Sequence, residues 1–443
     1  MKLGPKWPLL ASLGALLCAH VLPGQPAYRL TLADAIQKGL RENLSVLLAN
    51  ARTAESEGAQ QRAVAALMPH VAAQTYANFQ NRNLRAFGFS NPSIPAMVGP
   101  FSNYDFRIYA QQNVVDLQSY RNWKASGISA DAVKMDERDA RDLIVSAVAG
   151  LYLNAQSAAA RVAAGKSRVT DAEALFKLAS DRHDAGTATG VDVLRSQVQV
   201  ANERQGLLEA QNNYQQALIQ LARNIGINPG AEIELADSLQ FQELANVQPE
   251  DLFSKALDER ADYLSLARQR DAVVEQQAAN RARYYPKVSV NGNIGELGRS
   301  IGSVQTTGII QGQIDFTIFD HDREGEAQQL AARLRHIDAQ IVDVRRGVDE
   351  EIRSALLNLD SIAQQVNVAE EGRGLAEREL QLAQDRFAAG TANNIEVVTA
   401  QDELARAQEN YIVAVSGHVN AKYGLARALG NTEKNILDYS THR

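Results

Sequence analysis

Few residues in this chain have the types and spacing that catalysis requires. Gly298, Ser300 and Gly302 match the Gly-x-Ser-x-Gly pattern in which a strand, a sharp turn and a helix expose a serine nucleophile. An alternating strand pattern follows here instead of a helix, so the sequence predicts a polar hairpin turn. The histidines after residue 27 lack the spacing of a metal site, and the sequence has no Gly-rich phosphate loop. We therefore expect no catalytic residues, no metal and no cofactor, and predict that the protein is not an enzyme.

The remaining candidates are two acidic residues that follow a pair of matching turns. The two Ala-Gly-Thr-Ala segments lie 204 positions apart, and Asp192 and Glu396 occupy equivalent places after them. A glycine at such a turn ends a helix, and the helix dipole stabilises an acid in the first turn of the next helix. The two acids therefore either have a functional role at the turns or are solvated residues at helix N-termini. The sequence supports both interpretations equally. The turn residues are Gly186, Thr187, Gly390 and Thr391.

The charge of the chain argues against one class of partner. The 443 residues include 45 Lys and Arg and 52 Asp and Glu, for a formal net charge of -7, and the basic residues are scattered among the acids. A surface of this kind does not attract a phosphate backbone. We expect no binding to nucleic acid.

The amino-terminal segment has the pattern of a secretory signal. A basic start precedes an apolar run from Leu9 to Val21, which is too short to span a bilayer. We predict a signal peptide over residues 1–27, without a clear cleavage site. Cys18 is the single cysteine, and Leu17 before it disfavours lipid attachment, which stays open as a minor alternative. Later stretches do not reach 18 apolar residues, so the sequence predicts no transmembrane helix after the signal.

The rest of the chain is a tandem duplication. A shift of 204 residues aligns Leu178–Gly226 with Leu382–Gly430, and a shift of 217 aligns the earlier parts of the two halves, including Pro69 with Pro286. We therefore predict two repeats joined by a linker. The divisions are repeat 1 at 28–229, an irregular linker at 230–250, repeat 2 at 251–430 and a C-terminal tail at 431–443.

Each repeat has the same predicted order of helix, two strands, very long helix and helix. Helical spacing extends from Leu32 to Met68 and from Leu252 to Tyr285, and each segment stops before a proline. Period-two alternation then predicts strands at about 70–116 and about 287–320. One face of these strands is apolar, and the other carries charges and amides.

The two repeats differ in the turn between their strands. The first repeat has extra residues in Arg82–Ser102, where Pro92, Pro95 and Pro100 disfavour both a helix interior and a central strand. We predict a long surface loop there, which is shortened in the second repeat to about Gly298–Val304.

The strands lead into exceptionally long helices. About 65 residues without proline separate Asp116 from Gly186 and Asp320 from Gly390, a length of about 100 Å if they are helical throughout. Globular cores are not that long, so these helices must pack side by side as coiled coils.

Four two-faced strands per chain are too few to close a transmembrane barrel, which needs about eight. An open sheet edge in lipid leaves backbone groups without hydrogen bonds, so further copies would have to complete the sheet. Three copies give twelve strands and room for water. The predicted fold class is mainly α with a small transmembrane β part, in which a coiled-coil tunnel continues a twelve-stranded barrel formed by a trimer. A soluble sheet with one buried face is the alternative.

These features resemble the TolC-like outer membrane factors, also called outer membrane efflux proteins. That family has the same duplicated order of elements, a proline before the first strand of each half, and an Ala-Gly-Thr turn followed by an acid. The resemblance covers essentially the whole chain after residue 27. It implies a homotrimer in the cell outer membrane with its helical tunnel in the periplasm. It also implies that the turns dock a periplasmic adaptor (membrane fusion) protein, which is bound to an inner-membrane transporter.

The resemblance also implies a gate at the turns. In the best-known relatives, an acid in the first turn region bridges to a tyrosine and an arginine in the second. The acid position matches Asp192, the tyrosine position is Phe387 and the arginine position is Ala392, so the donors of the link are lost. An acidic pore ring matches Glu396, whereas its neighbouring acidic position is Thr399. We expect Asp192, Phe387 and Glu396 at an entrance that is held mainly by packing.

The predicted function is a passive exit duct for a tripartite efflux pump or a type I secretion system. The alternative is a soluble periplasmic coiled-coil tether or assembly protein, which shares the helices but has no use for two-faced strands. The substrate and the identities of the adaptor and pump cannot be read from the sequence, because the pump selects the cargo.

Overall fold

The structure is a computed structural model that describes residues 28–89, 91–242 and 249–441. The predicted signal peptide, with Cys18, lies outside the described residues, as does the end of the C-terminal tail. The helical and strand elements occur in the same order in the two halves. The first half contains β1 (Tyr28–Leu30), α1 (Leu32–Glu42), α2 (Leu44–Ala65), β2 (His70–Asn83), β3 (Met97–Val115), α3 (Leu117–Asp184) and α4 (Gly190–Asn224). The second half contains β4 (Ile233–Leu235), α5 (Pro249–Glu259), α6 (Ala261–Ala282), β5 (Lys287–Gly298), β6 (Val304–Asp315), α7 (Asp322–Ala388), α8 (Asn394–Leu429) and α9 (Thr432–Thr441).

The two very long helices that the sequence predicts are confirmed. α3 has 68 residues and α7 has 67, so each is about 100 Å long. Asp116 starts α3, because its carboxylate accepts a hydrogen bond from the backbone N–H of Ser119 at 3.0 Å. Both helices end before a glycine in the left-handed region, Gly186 at φ 74° and Gly390 at φ 77°, as the sequence predicts.

The helices before the strands are each broken in two, whereas the sequence predicts single helices from Leu32 to Met68 and from Leu252 to Tyr285. At Asn43 the backbone is extended, and the side chain caps α2 through the Ser45 N–H at 2.9 Å. The Asn43 amide also donates to the carbonyl of Asn224, at the end of α4, at 3.0 Å. Arg260 makes the equivalent break between α5 and α6. Helical periodicity continues across a one-residue break, so the periodicity does not reveal it.

Four strands form one antiparallel sheet in the order β2-β3-β5-β6. The predicted loop at Arg82–Ser102 is shorter than expected, because β2 extends to Asn83 and β3 begins at Met97. Pro100 lies within β3, but β5 pairs with β3 only from Tyr104 onwards, so the proline occupies an edge position where a missing N–H is tolerated. The turn between β5 and β6 is short, as predicted, and contains Ser300.

The last strand ends earlier than the predicted residue 320. β6 stops at Asp315, which pairs with Lys287, the first residue of β5. Pro286 has no N–H and precedes β5, so the residues after Asp315 have no strand to continue the ladder. Three of these residues, Phe316, Ile318 and Phe319, are nonetheless apolar and strongly exposed, and Ile318 is 96% exposed.

Each strand of the sheet continues into a helix, so the helices keep the order of the strands. Near the sheet the packing order is α2-α3-α6-α7, and towards the two glycine turns it is α4-α3-α8-α7. The two edges of the molecule are therefore formed by consecutive elements along its whole length. β2, α2 and α4 form one edge, and β6 and α7 form the other.

The largest hydrophobic core lies between the helices near the sheet and the helices near the glycine turns. Residues of α1, α3, α4, α8 and α9 pack there around the parallel pair of β1 and β4. The linker predicted as irregular is thus partly ordered, because it contains β4. Tyr152 of α3 fixes this region: its hydroxyl donates to the Asp237 carboxylate at 2.9 Å and lies 3.0 Å from the Leu30 carbonyl oxygen. Burial and the Asp237 carboxylate raise the pKa of Tyr152.

The long helix α3 contains a stretch that is long and apolar enough to cross a membrane, in contrast to the expectation that no such segment follows the signal. Half of this stretch is buried inside the protein. Val145, Val148 and Tyr152 belong to the large core, so the apolar composition of α3 reflects packing against its neighbouring helices.

Candidate functional site

The candidate residues lie at the end of the molecule farthest along the helices from the sheet, where two helical hairpins turn. The α3–α4 turn and the α7–α8 turn are nearly identical. The Thr187 hydroxyl donates to the Arg182 carbonyl at 3.0 Å, and the Thr391 hydroxyl donates to the Arg386 carbonyl at 3.1 Å. These bonds occupy carbonyl groups that the end of a helix leaves free. The duplicated Gly-Thr pair therefore builds two copies of one turn structure.

Asp192 caps the first turn of α4. Its carboxylate accepts from the Thr189 hydroxyl at 2.7 Å and from the Thr189 N–H at 3.1 Å, and its own N–H donates back to the Thr189 hydroxyl. Such a capping box stabilises a helix start by about 1 kcal/mol. The helix-terminal interpretation is therefore sufficient to explain Asp192, although it leaves a second role open.

Glu396 lies at the corresponding place in α8 but has a different partner. Its carboxylate is 2.9 Å from the guanidinium of Arg386, at the end of α7. Both side chains are largely exposed in the single chain, so the pair is weakly stabilising by itself. The Glu396 carboxylate therefore has a positive charge, the Arg386 guanidinium, directly beside it.

Phe387 is buried between the two hairpins. It packs with Leu175 and Ala179 of α3 and with Val397 of α8. Arg182 contacts it twice: the guanidinium donates a hydrogen bond to the Phe387 carbonyl and lies 5.0 Å from the centre of the Phe387 ring. An arginine over an aromatic face adds a cation–π attraction.

A buried amide makes the second link between the hairpins. Asn394, which is fully buried, donates to the Asp192 carbonyl at 2.8 Å and to the Ser196 hydroxyl at 2.7 Å. The structure thus joins the two predicted turn regions through Arg182 with Phe387 and through Asn394 with Asp192. Asp192 and Glu396 have separate partners.

Sequence reasoning missed Arg182, Arg386 and Asn394. The first two could have been found, because the same Asp-Arg pair precedes both turns at equivalent positions of the duplication. Asn394 could not, because its equivalent in the first repeat is Gly190 and no motif marks it.

The arrangement has the shape and duplicated tips of a known family. The family model described as "Outer membrane efflux protein" matches residues 35–227 and 252–431, which include both long hairpins and all four strands of the antiparallel sheet. The chain belongs to this family. Its members are outer membrane channels, so the efflux protein described here is an outer membrane channel protein whose helical part lies in the periplasm.

Individual relatives agree with this family. The efflux protein is 24% identical over 414 residues to the pyoverdine export outer membrane protein OpmQ of Pseudomonas aeruginosa, a match that covers 90% of this chain and 85% of OpmQ. Among solved structures, it resembles the outer membrane protein VceC of Vibrio cholerae with a TM-score of 0.75, at 20% identity, covering 90% of this chain and 96% of VceC. The CmeC outer membrane channel of Campylobacter jejuni gives a TM-score of 0.76 at 17% identity, covering 93% of this chain and 89% of CmeC. These similarities confirm the predicted fold.

Proposed function

We propose that this efflux protein works as a homotrimer and forms the exit duct of a tripartite efflux pump or type I secretion system. The observation that carries the proposal is the open four-stranded sheet, whose strands run directly into helices about 100 Å long. A duct of this length would lead substrates from a periplasmic adaptor to the outside of the cell.

The number of copies follows from the strands. Within the described residues, β2 and β6 each pair with one neighbour in the four-stranded sheet, so each leaves one edge open. An open edge in the hydrocarbon region is unfavourable, because its N–H and C=O groups find no water there. Two copies would give eight strands and a filled interior, whereas three give twelve and an aqueous passage.

The faces of the sheet fit such a barrel. Ile108 of β3, Ile294 of β5 and Ile310 of β6 lie on one face and are exposed in the single chain. The opposite face carries Asn291 and Gln311, which pair with each other. The apolar face would contact lipid and the amide face would line the passage.

The hairpin tips would meet the partners. Gly186, Thr187, Gly390 and Thr391 would contact the periplasmic adaptor, which holds an inner-membrane transporter that supplies the energy. Asp192, Phe387 and Glu396 would surround the entrance. The burial of Phe387, with its bonds to Arg182, supports an entrance that packing holds closed within each copy.

The proposal is tested by cell fractionation followed by measurement of the native mass in mild detergent. Recovery in the outer membrane at about three protomer masses supports the duct. Recovery as a soluble monomer after removal of the signal would reject it, and a soluble periplasmic coiled-coil tether would take its place.

A further inference from the structure

An ion pair of β3 lies on the amide face of the sheet. Arg107 is four residues from Gln111, which pairs with Asn291 of that face, and Asp105 is two residues farther along the strand. Alternate residues of a strand share a face, so the side chains of Arg107 and Asp105 lie on the same side as Asn291. In the proposed barrel this side would line the aqueous passage.

Few other charges lie on this face of the sheet. Lys287 and Asp315 are paired in register at the helix end, where the strands lead into the helices. From that row of residues up to the level of Asp105, the face has no other Asp, Glu, Lys or Arg in the four described strands. Arg107 and Asp105 are therefore the charges that a solute would meet in the middle of the barrel.

Water reaches the two charges to different extents. Asp105 is 1% exposed, because the Tyr76 hydroxyl donates to one carboxylate oxygen at 2.7 Å and Arg107 Nε lies 2.8 Å from the other. The Arg107 side chain is 23% exposed, and its two Nη groups make no hydrogen bond with another described residue. The pair thus presents its positive end to the passage and covers its negative end.

The neighbouring strand leaves room for this arrangement. Gly295 of β5 lies directly opposite Arg107 in the β3–β5 pair. A Cβ atom at Gly295 would lie 2.7 Å from Arg107 Cγ, which is closer than real Cβ atoms approach a neighbour. The stem of the arginine therefore lies where β5 has no side chain, and Asp105 holds the guanidinium. A charge that is already held in place loses little freedom when an anion binds to it.

A second arginine lies nearer the strand turns. Arg299 follows β5, and its guanidinium lies 5.7 Å from the centre of the Phe101 ring. Phe101 is six residues from Arg107 in β3 and so shares its face. Arg299 therefore adds positive charge on the same side of the sheet. The acid at a similar height, Glu296, pairs with a residue of the apolar face.

We propose that Arg107 is an anion contact inside the barrel and that the outer half of the passage favours solutes with negatively charged groups. The inference rests on the proposed trimeric duct, in which three copies of Arg107 would surround the passage at one level. Anionic groups of the cargo would accept charge-assisted hydrogen bonds from the free Nη groups. This contact would act on solutes that have already passed the hairpin tips, which lie at the other end of the molecule.

Thiol reagents of opposite charge measure the electrostatic potential at this site in the full-length protein. Cys18, the single cysteine, is replaced by serine, and Gln74→Cys places a thiol directly across the β2–β3 pair from Arg107. The purified protein is treated at low ionic strength with sulfonatoethyl methanethiosulfonate, which is anionic, or with its cationic trimethylammonium analogue. We expect Arg107→Gln to lower the ratio of the anionic to the cationic rate constant by about three- to tenfold.

Further measurements separate the charge of Arg107 from effects on folding. Arg107→Gln combined with Asp105→Asn leaves no carboxylate unpaired and should also lower the ratio. Without either substitution, about 1 M salt should lower it as well, because the Debye length is then only about 3 Å. Arg121→Gln is the matched control and should leave the ratio unchanged, since Arg121 pairs with Glu275 on the helices.

The outcomes distinguish the anion contact from the duct itself. A ratio that neither Arg107→Gln, the double variant nor salt changes, in a protein with the native mass of three protomers, would overturn the anion contact and leave the trimeric duct intact. In such a trimer, a Gln74→Cys thiol that reacts with neither reagent would also overturn it, because the site would be closed to solutes. A protein with the native mass of a single protomer would instead reject the proposed function.

Discussion

The Glu396 carboxylate and the Arg386 guanidinium, 2.9 Å apart, set the charge of the second hairpin tip. The sequence alone suggests a ring of three Glu396 carboxylates, which would favour cations. In the proposed trimer, Arg386 would add three positive charges at the same height. If the tip surrounds the entrance as proposed, the selectivity of the channel reflects the balance between these two rings.

We predict opposite effects of two substitutions on ion selectivity. Arg386→Ala should raise the preference for cations in single-channel recordings, and Glu396→Gln should lower it, each by about 1 kcal/mol or less, because the pair is exposed. Glu403→Gln is the control, since Glu403 pairs with Arg406 on the same helix farther from the tip. Unchanged reversal potentials in both variants would leave Glu396 as a solvated helix-terminal acid.

His418 of α8 is a second residue whose environment has a consequence, in this case for stability at low pH. It is fully buried, its ring meets Phe241 edge-on at 4.7 Å, and neither ring nitrogen has a hydrogen-bond partner among the described residues. Burial, with a smaller effect from Lys422, lowers its pKa to about 4. The folded protein therefore holds this histidine neutral at pH values where the unfolded chain protonates it.

The resulting prediction concerns stability in acid. Above about pH 6.5 the ring is neutral in both states, so it adds no pH dependence. As the pH falls from about 6.5 to 4, only the unfolded state binds the proton, which lowers the free energy of unfolding by up to about 3 kcal/mol. We expect His418→Phe to reduce the loss of Tm between pH 7.5 and 4.5 in detergent. An equal loss of Tm in both proteins would contradict this account.

At the scale of elements, the sequence predicts those features that depend on local chemistry. Gly186 and Gly390 mark the tips, because helix ends with positive φ favour glycine. The helix breaks at Asn43 and Arg260 cannot be predicted from the sequence, since they depend on contacts with distant residues such as Asn224. The contact of Arg182 with Phe387 and that of Asn394 with Asp192 cannot be seen in the sequence for the same reason, because the partners are about 200 positions apart in the chain.

The connection between β2 and β3 gives a prediction about topology. Between Asn83 and Met97 the chain forms a short helical turn and then a turn at Asn91, whose side chain accepts from the Ser93 N–H at 2.9 Å. We expect a short epitope inserted after Pro92 to be tolerated, because exposed loop tips accept insertions. Antibody should label it on intact cells. The same epitope after Thr187 should be labelled only in broken cells, and the reverse pattern would invert the proposed orientation.

At the scale of the whole molecule, the proposed trimer depends on the two open sides of the single chain. The sheet and the helices end on the same two sides, so in the proposed ring one rotation between copies would close β2 of one copy on β6 of the next. The number of copies could be argued from the sequence through the strand count. Which helices lie at the edges could not, because that order depends on tertiary packing of α3 against α4, α6 and α8.

The strongest test of the membrane assignment uses two adjacent residues of the edge strand β6. Ile310 pairs with Gly292 on the apolar face, and Ile309 pairs with Asn293 on the amide face; both are exposed in the single chain. Ile310→Arg should place a charge in lipid near the middle of the strand and destabilise the assembled barrel by about 2–4 kcal/mol per copy. Ile309→Arg should be tolerated, because its side chain would extend into water. The fraction of unboiled protein that migrates as a trimer after outer-membrane extraction measures the difference, and equal losses in the two variants would mean that the two faces of the sheet meet the same environment.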